Sequence, residues 1–202
     1  MNFGVLRVLN DDTVKPGMGF GTHPHDNMEI ISIPLEGDLE HKDSMGNVSV
    51  IRHGDVQVMS AGTGIYHSEY NKNKDKSVQF LQIWVFPNKE NVTPRYGQIT
   101  LNTADRHNKL QQILSPNAAD DGVWIHQNAW FHLGEFDKGA STKYLLKAEG
   151  NGVYVFVLRG DVAIDRQHLK TRDGFGIWGV KDISIEALTG TEILLMEVPM
   201  DV

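Results

Sequence analysis

An internal repeat constrains the fold of this chain more than any other feature of its sequence. The run VYVFVLRGD at 153–161 resembles the run IISIPLEGD at 30–38. Each run leads through a hairpin to a second glycine turn, at 54–55 in the first half and at 173–174 in the second. Repeated supersecondary units of this kind predict two similar β-barrels, which leave few strand edges exposed. Chance similarity is the alternative, because apolar hairpins with Gly-Asp turns are common.

The distribution of glycine supports a fold made of strands. The 20 glycines recur between short alternating or β-branched runs, and this spacing is typical of many short strands joined by turns. No long amphipathic helix competes with them. The chain is therefore predicted to be all-β, with an N-terminal barrel in 1–101, a polar linker in 102–121 and a C-terminal barrel in 122–202.

Composition excludes several classes of function. The 202 residues contain no cysteine, which excludes disulfides, thiolate chemistry and sulfur-ligated metal sites. Any metal must bind nitrogen and oxygen atoms. The formal net charge of -7 argues against direct nucleic-acid binding, which depends on clustered Lys and Arg.

The sequence shows neither the pattern of a signal peptide nor that of a membrane-spanning segment. Residues 1–10, MNFGVLRVLN, lack the basic start and the long apolar run of a signal peptide. No segment approaches the ~18 consecutive apolar residues that would span a bilayer. We expect a soluble cytoplasmic protein without a membrane partner.

The first candidate for chemistry is the pair His23-Pro24-His25. Side chains at positions i and i+2 of a strand point to the same face, so both imidazoles can converge on one ion. Such a pair also occurs by coincidence on many strands. Further ligands are needed before it indicates a site.

A second cluster, GTGIYHSEYN at 62–71, supplies them. His67 and Glu69 again share a strand face. Three imidazoles and a carboxylate suit Fe(II), Mn(II), Ni(II) or Cu(II), with open positions for water or substrate. An ordinary His67–Glu69 ion pair on a loop is the alternative interpretation.

The spacing around these residues resembles a known family. The pattern Gly17-x5-His23-x-His25-x3-Glu29-x7-Gly37 is similar to the first cupin motif. The runs HPHDNMEIISIPLEGDLEHKDSMGN, GDVQVMSAGTGIYHSEYN and LQIWVFP resemble the pirin family, which includes bacterial pirin-like quercetin 2,3-dioxygenases. The resemblance is specific through residues 3–101, and only a general second-barrel pattern continues it beyond them.

The resemblance implies a bicupin fold, in which both barrels are cupin (double-stranded β-helix, or jelly-roll) domains. It implies that His23, His25, His67 and Glu69 bind one divalent metal, with Fe(II) expected and Cu(II), Ni(II), Mn(II) or Zn(II) as alternatives. The implied reaction opens the ring of a flavonol such as quercetin with O2 and releases carbon monoxide. Glu69 would be the catalytic base if it loosens from the metal, with Glu29, placed near the ion, as the second candidate.

Two features depart from the family pattern. Relatives usually carry a further N-terminal segment before the equivalent of Phe3, and we expect this chain to lack it. The segment 139–143, GASTK, has no histidine where a second H-x-H would fall. The C-terminal barrel is therefore predicted to have no metal site and to serve a structural task.

Other residues are weaker candidates for ligands. His41 and His53 lie in charged or turn segments, so both are predicted to be solvated polar residues. His126 and His132 are predicted to be hydrogen-bonded strand residues. Apolar side chains could line a cavity for an aromatic substrate, or could equally be barrel core: Met18, Phe20, Met28, Met59, Ile65, Phe80 and Trp84.

Function classes other than an oxygenase remain open from the sequence. Pirins include a metal-dependent regulatory protein, so the barrel could be a metal or redox sensor that binds a protein partner such as a transcription factor. A binding cupin with a vestigial metal is a third interpretation. A monomer and a homodimer are both compatible with the sequence.

Overall fold

Strands dominate the computed structural model, which describes residues 2–201. The strands are β1 (Leu6–Val14), β2 (Gly19–His25), β3 (Glu29–Glu36), β4 (Asp38–Asp43), β5 (Val48–Arg52), β6 (Asp55–Ser60), β7 (Ile65–Asn71), β8 (Val78–Val85), β9 (Arg95–Thr100), β10 (Leu110–Ser115), β11 (Val123–Trp124), β12 (Trp130–Phe136), β13 (Ser141–Leu145), β14 (Asn151–Arg159), β15 (Val162–Ile164), β16 (Gln167–Leu169), β17 (Gly174–Trp178), β18 (Asp182–Ala187) and β19 (Thr191–Pro199). A short 3-10 helix spans Thr103–Arg106. The predicted all-β class is confirmed. No helix in the described part of the chain is long and apolar enough to cross a bilayer.

The chain divides into two compact units. Of the described residues, unit 1 contains residues 2, 6–101 and 123–127, and unit 2 contains residues 3–5, 102–122 and 128–201. Unit 1 has one sheet in the order β1-β8-β3-β6-β9 and a second in the order β2-β7-β4-β5. Each sheet packs its apolar side chains inward, so the unit is a double-sheet barrel.

Unit 2 repeats this strand order. One sheet contains the consecutive strands β12-β19-β14-β17, which match β1-β8-β3-β6. The other has the order β13-β18-β15-β16, which matches β2-β7-β4-β5. The two similar runs of the sequence form β3 and β14, which hold equivalent positions. Both are followed by a glycine at positive φ, Gly37 at 77° and Gly160 at 82°, where other residues are strained. The predicted internal repeat is confirmed.

The segment predicted as a linker, 102–121, differs from that expectation. It contains the 3-10 helix and β10, and β10 pairs with β12 within unit 2. The next five residues, 123–127, belong to unit 1 instead. The adjacent residues Gln111 and Gln112 interrupt the apolar alternation of β10, so pairing with β12 defines this strand more than its own pattern does.

The interiors of the two units are filled differently. Unit 2 contains an extended apolar cluster built largely from β14, β15, β18 and β19. Unit 1 contains an apolar cluster around Phe80 and another around Met59. It also buries polar side chains: Ser32, His41, His67, Glu69 and Gln82. Each fully buried Ile or Phe stabilises the fold by about 1.5–3 kcal/mol, whereas a buried polar group must find a partner.

Candidate metal centre

Pairing between β2 and β7 brings three predicted histidines together. His23 lies directly opposite His67, and His25 lies opposite Ile65. A register shift between Phe20 and His23 re-aims the end of β2. The ring centroids of His23 and His67 are 4.4 Å apart, and that of His25 lies 4.9 Å and 5.0 Å from them respectively. One ligand atom from each ring falls within 4.8 Å of the others; we call these residues the outer triad.

The lowered pKa values of His25 and His67 favour metal binding. Burial, together with the neighbouring histidines, lowers the pKa of His67 to about 3. Burial and His23 likewise lower the pKa of His25 to about 4. Neutral imidazoles present lone pairs, as metal binding requires.

Hydrogen bonding leaves nitrogen atoms free to bind an ion. The Nδ1 atom of His23 lies 2.7 Å from the carbonyl oxygen of Gly21, so a donated N–H fixes the ring and leaves Nε2 free. Neither ring nitrogen of the buried His67 has a hydrogen-bond partner. A buried polar atom without a partner needs an explanation, and a bound cation would provide one. With nitrogen and oxygen donors only, the residues fit a divalent transition metal.

Glu69 is buried, with 1% of its surface exposed, whereas His23 and His25 of the outer triad are half-buried. Its carboxylate accepts hydrogen bonds from the Ser32 hydroxyl, at 3.0 Å, and from the Gln82 amide. The indole N–H of Trp84 donates to the other end of that amide, at 3.3 Å, and so orients it. Burial raises the pKa of Glu69 to about 7, although the bonds from Ser32 and Gln82 oppose the increase.

His41 is a functional candidate that the sequence analysis missed. It was predicted to be solvated, and this is wrong: its side chain is 0% exposed. On β4, Leu39 and His41 alternate with exposed or half-buried neighbours and point inward. Ligand atoms of His41, His67 and Glu69 lie within 4.8 Å of one another, and we call these residues the inner triad. The available signal was the spacing of two residues between Leu39 and His41, which places both side chains on the same face of β4.

Glu29 lies elsewhere, contrary to the expectation that it sits near the ion. Its carboxylate accepts a hydrogen bond from Ser60 at 2.8 Å and interacts with Arg95 and the backbone N–H of His126. The structure does not bring it to the histidines. Successive side chains of a strand point to opposite faces. Ser32 donates to Glu69, and Glu29, three positions earlier on β3, therefore points to the other face of the sheet.

A cavity of about 540 Å³ opens beside His25. Met28, Ile65 and Tyr66 contribute to its lining, and the ring of Trp84 lies edge-on to His25 at 4.9 Å. Of the other residues predicted for such a lining, Met59 and Phe80 belong to apolar clusters, while Met18 and Phe20 are exposed. The apolar wall therefore has fewer members than predicted.

The corresponding strands of unit 2 have different side chains. When Gly37 is matched with Gly160, Ile183 of β18 takes the place of His67 of β7, and it lies opposite Tyr144, where the β2–β7 pair has His23. Unit 2 contains a larger cavity, of about 750 Å³, lined by residues of 146–151 and 178–181 together with Met200. Size alone does not make it the site of chemistry, because none of the predicted site residues lines it.

Comparison with known proteins adds an independent line of evidence. A family profile described as "Pirin" matches residues 2–85, and one described as "Quercetinase C-terminal cupin domain" matches residues 112–198. A "Pirin-like protein" of Caulobacter vibrioides is 37% identical, over 98% of this chain and 84% of the relative. This chain belongs to the pirin family. A pirin relative from Escherichia coli strain K12, named quercetin 2,3-dioxygenase, is 41% identical over 199 residues, which cover 98% of this chain and 84% of that protein.

Solved pirin structures confirm the fold. The crystal structure of the bacterial pirin YhhW from Escherichia coli in complex with nickel(II) superposes with a TM-score of 0.93 and 40% identity. The superposition covers 100% of this chain and 85% of that one. The predicted bicupin architecture, with two cupin barrels, is thereby confirmed.

Proposed function

We propose that this pirin is a metal-dependent dioxygenase that opens the ring of a flavonol such as quercetin. The observation that carries the proposal is the convergence of three imidazoles beside a cavity that Met28 and Ile65 help to line. Membership of the pirin family supports it, as does the relative named quercetin 2,3-dioxygenase. The reaction consumes O2, inserts both of its oxygen atoms into the opened product and releases one ring carbon as carbon monoxide.

His23, His25 and His67 are the proposed nitrogen ligands of one divalent ion, and Glu69 is the proposed oxygen ligand. A nickel(II) complex of a relative supports a divalent metal, and Fe(II) is the ion that we propose. When bound, the ion would supply Lewis acidity and open positions for the substrate oxygens. Burial lowers the pKa values of His25 and His67, so these two rings are neutral and available as ligands.

Side chains around the cavity would bind the substrate and remove its hydroxyl proton. Met28 and Ile65 offer apolar contact to a flat aromatic ring, and they exclude water from one side of it. Glu69 is the proposed base that takes the proton of the flavonol hydroxyl. Ser32 and Gln82 donate to the two oxygens of that carboxylate and so fix its orientation. Glu29 has no part in this proposal, because it faces Ser60 and Arg95.

Substitution of His67 tests the proposal. In His67→Ala we expect retained metal to fall, and O2 consumption with quercetin to drop by more than about 100-fold, because loss of a ligand exceeds the 10–100-fold cost of losing a ligand's hydrogen-bond partner. His53→Ala, at an exposed turn position, is the matched control and should behave as the unsubstituted protein.

The measurements are metal content by elemental analysis, O2 uptake and carbon monoxide release, after reconstitution with Fe(II), Ni(II), Cu(II), Mn(II) or Zn(II). Full metal content and turnover in His67→Ala would refute the ligand assignment. Absence of carbon monoxide from the unsubstituted protein with every ion would refute the flavonol reaction.

A further inference from the structure

A buried carboxylate–imidazole pair lies beside the proposed metal centre. The Nε2 atom of His41 is 3.1 Å from Oδ2 of Asp43, and both side chains are 0% exposed. The backbone N–H groups of Met45 and Asn47 donate to Oδ1 of Asp43, and the Asn47 amide donates to Oδ2. These donors fix the carboxylate of Asp43 at the end of β4 as an acceptor.

This arrangement determines which nitrogen of His41 is free. Because Asp43 accepts, the Nε2 atom of His41 is the donor, and the Nδ1 atom of the neutral ring carries a lone pair. That Nδ1 atom is buried and has no hydrogen-bond partner. Histidines that bind metals commonly donate their other N–H to a carboxylate or a carbonyl, as His41 does. The pair thus has the form of a metal-binding imidazole with its supporting acceptor.

Strand pairing directs the free nitrogen toward two further ligands. Across β4 and β7, His41 lies opposite Glu69, and Asp43 lies opposite His67. Ligand atoms of His41, His67 and Glu69 come within 4.8 Å of one another. Glu69 and His67 are each 1% exposed. Two imidazoles and one carboxylate, with positions left open, are a common ligand set for divalent iron.

We propose that the inner triad is a second position for a divalent transition metal, alternative to the outer triad. His67 belongs to both triads, so the two positions share a ligand and one chain holds one ion at a time. The inner position takes the same class of ion as the proposed function, but it does not depend on any substrate. A bound cation would also satisfy the unpartnered nitrogens of His41 and His67.

The double variant His23→Ala/His25→Ala isolates the inner position, because it removes two of the three outer ligands and leaves the inner triad intact. Titration with Co(II), followed by visible absorption and calorimetry, should show one ion bound per chain with ligand-field bands. Adding His41→Phe, which keeps a ring of similar size, should abolish that binding. Adding Asp43→Asn instead should weaken it by about 10- to 100-fold.

The control adds His53→Ala to the double variant and should leave the Co(II) affinity unchanged. Far-ultraviolet circular dichroism and thermal unfolding without metal verify that each variant is folded. If the folded double variant binds no Co(II) while the unsubstituted protein binds it, the inner position is refuted and the proposed catalytic site stands. Binding that persists unchanged in the His41→Phe background also refutes it.

Discussion

At the scale of single residues, the two faces of β3 give the buried carboxylates Glu29 and Glu69 different environments. Ser32 faces the barrel interior and bonds Glu69, whereas Glu29 faces Ser60 and Arg95. Arg95 in turn lies 3.6 Å above the ring of Trp124. Glu29 is only 1% exposed, so its charged form is held in a poorly solvated environment.

The free energy of unfolding should therefore fall with rising pH because of Glu29. Burial raises its pKa from 4.5 to about 7, although the Ser60 bond and Arg95 oppose the increase. Between these values the folded protein keeps a proton that the unfolded chain loses, so the stabilisation is complete below pH 4.5 and is lost as the pH rises through about 7. Glu29→Gln should be more stable than the unsubstituted protein by about 1–3 kcal/mol at pH 8 and similar near pH 4.

Urea unfolding at a series of pH values measures this difference. The two proteins serve as each other's control, since their curves should converge at low pH and separate above pH 5. Parallel curves across the whole range would show that Glu29 has the same pKa in the folded and unfolded states.

At the scale of elements, the turn between β6 and β7 sets the position of the outer triad. Gly62 has φ of +48°, and an added Cβ would lie 2.0 Å from the carbonyl oxygen of Val92. The Thr63 N–H donates to that same oxygen at 3.0 Å, and the Asn27 N–H donates to the Gly62 carbonyl at 2.9 Å. Three loops of unit 1 thus meet at one glycine.

Gly62→Ala should destabilise unit 1 more than a glycine-to-alanine substitution at a position where the added methyl group contacts no other atom. Gly46 is the matched control, because its φ is +92° and an added Cβ would meet nothing within 4 Å. Left-handed backbone alone costs an alanine about 1–2 kcal/mol, and the contact with Val92 should add about 1–3 kcal/mol. Chemical unfolding of both variants measures the difference. Equal losses would show that the loops can separate without cost.

Prediction from sequence succeeded where local pattern was sufficient. The strand period placed His23, His25 and His67 on common faces, and pairing of β2 with β7 joined them. It failed for His41, whose charged neighbours concealed an inward position, and for β10, where paired glutamines concealed a strand. The burial of a side chain depends on which strand pairs with its own, and this pairing cannot be predicted from the composition of the local segment.

At the scale of the whole molecule, two barrels with the same strand order have different interiors. Unit 2 has an extended, largely aliphatic cluster, whereas unit 1 buries His41 and His67, which have ring nitrogens without hydrogen-bond partners. The cost of those polar groups is local to unit 1. Metal binding should stabilise that unit in particular.

Hydrogen exchange with and without metal tests this expectation. An ion present at 100 times its dissociation constant stabilises the folded state by about 2.7 kcal/mol. We expect slower amide exchange in β2, β4 and β7 on adding metal, and little change in β14 and β19. Similar protection in both units would show that stabilisation by the ion is not confined to the barrel that holds it.

Local periodicity was enough to establish the all-β class, the internal repeat and the histidine pair, because the alternation of a strand is a pattern of consecutive residues. The environments of Glu29, His41 and Glu69 depended on folding. Alternation separates two faces of a strand, but it does not state which face lies inside a barrel or which partner lies opposite. Those follow from the register between distant strands, such as β4 with β7, and this register placed His41 and Asp43 beside Glu69 and His67.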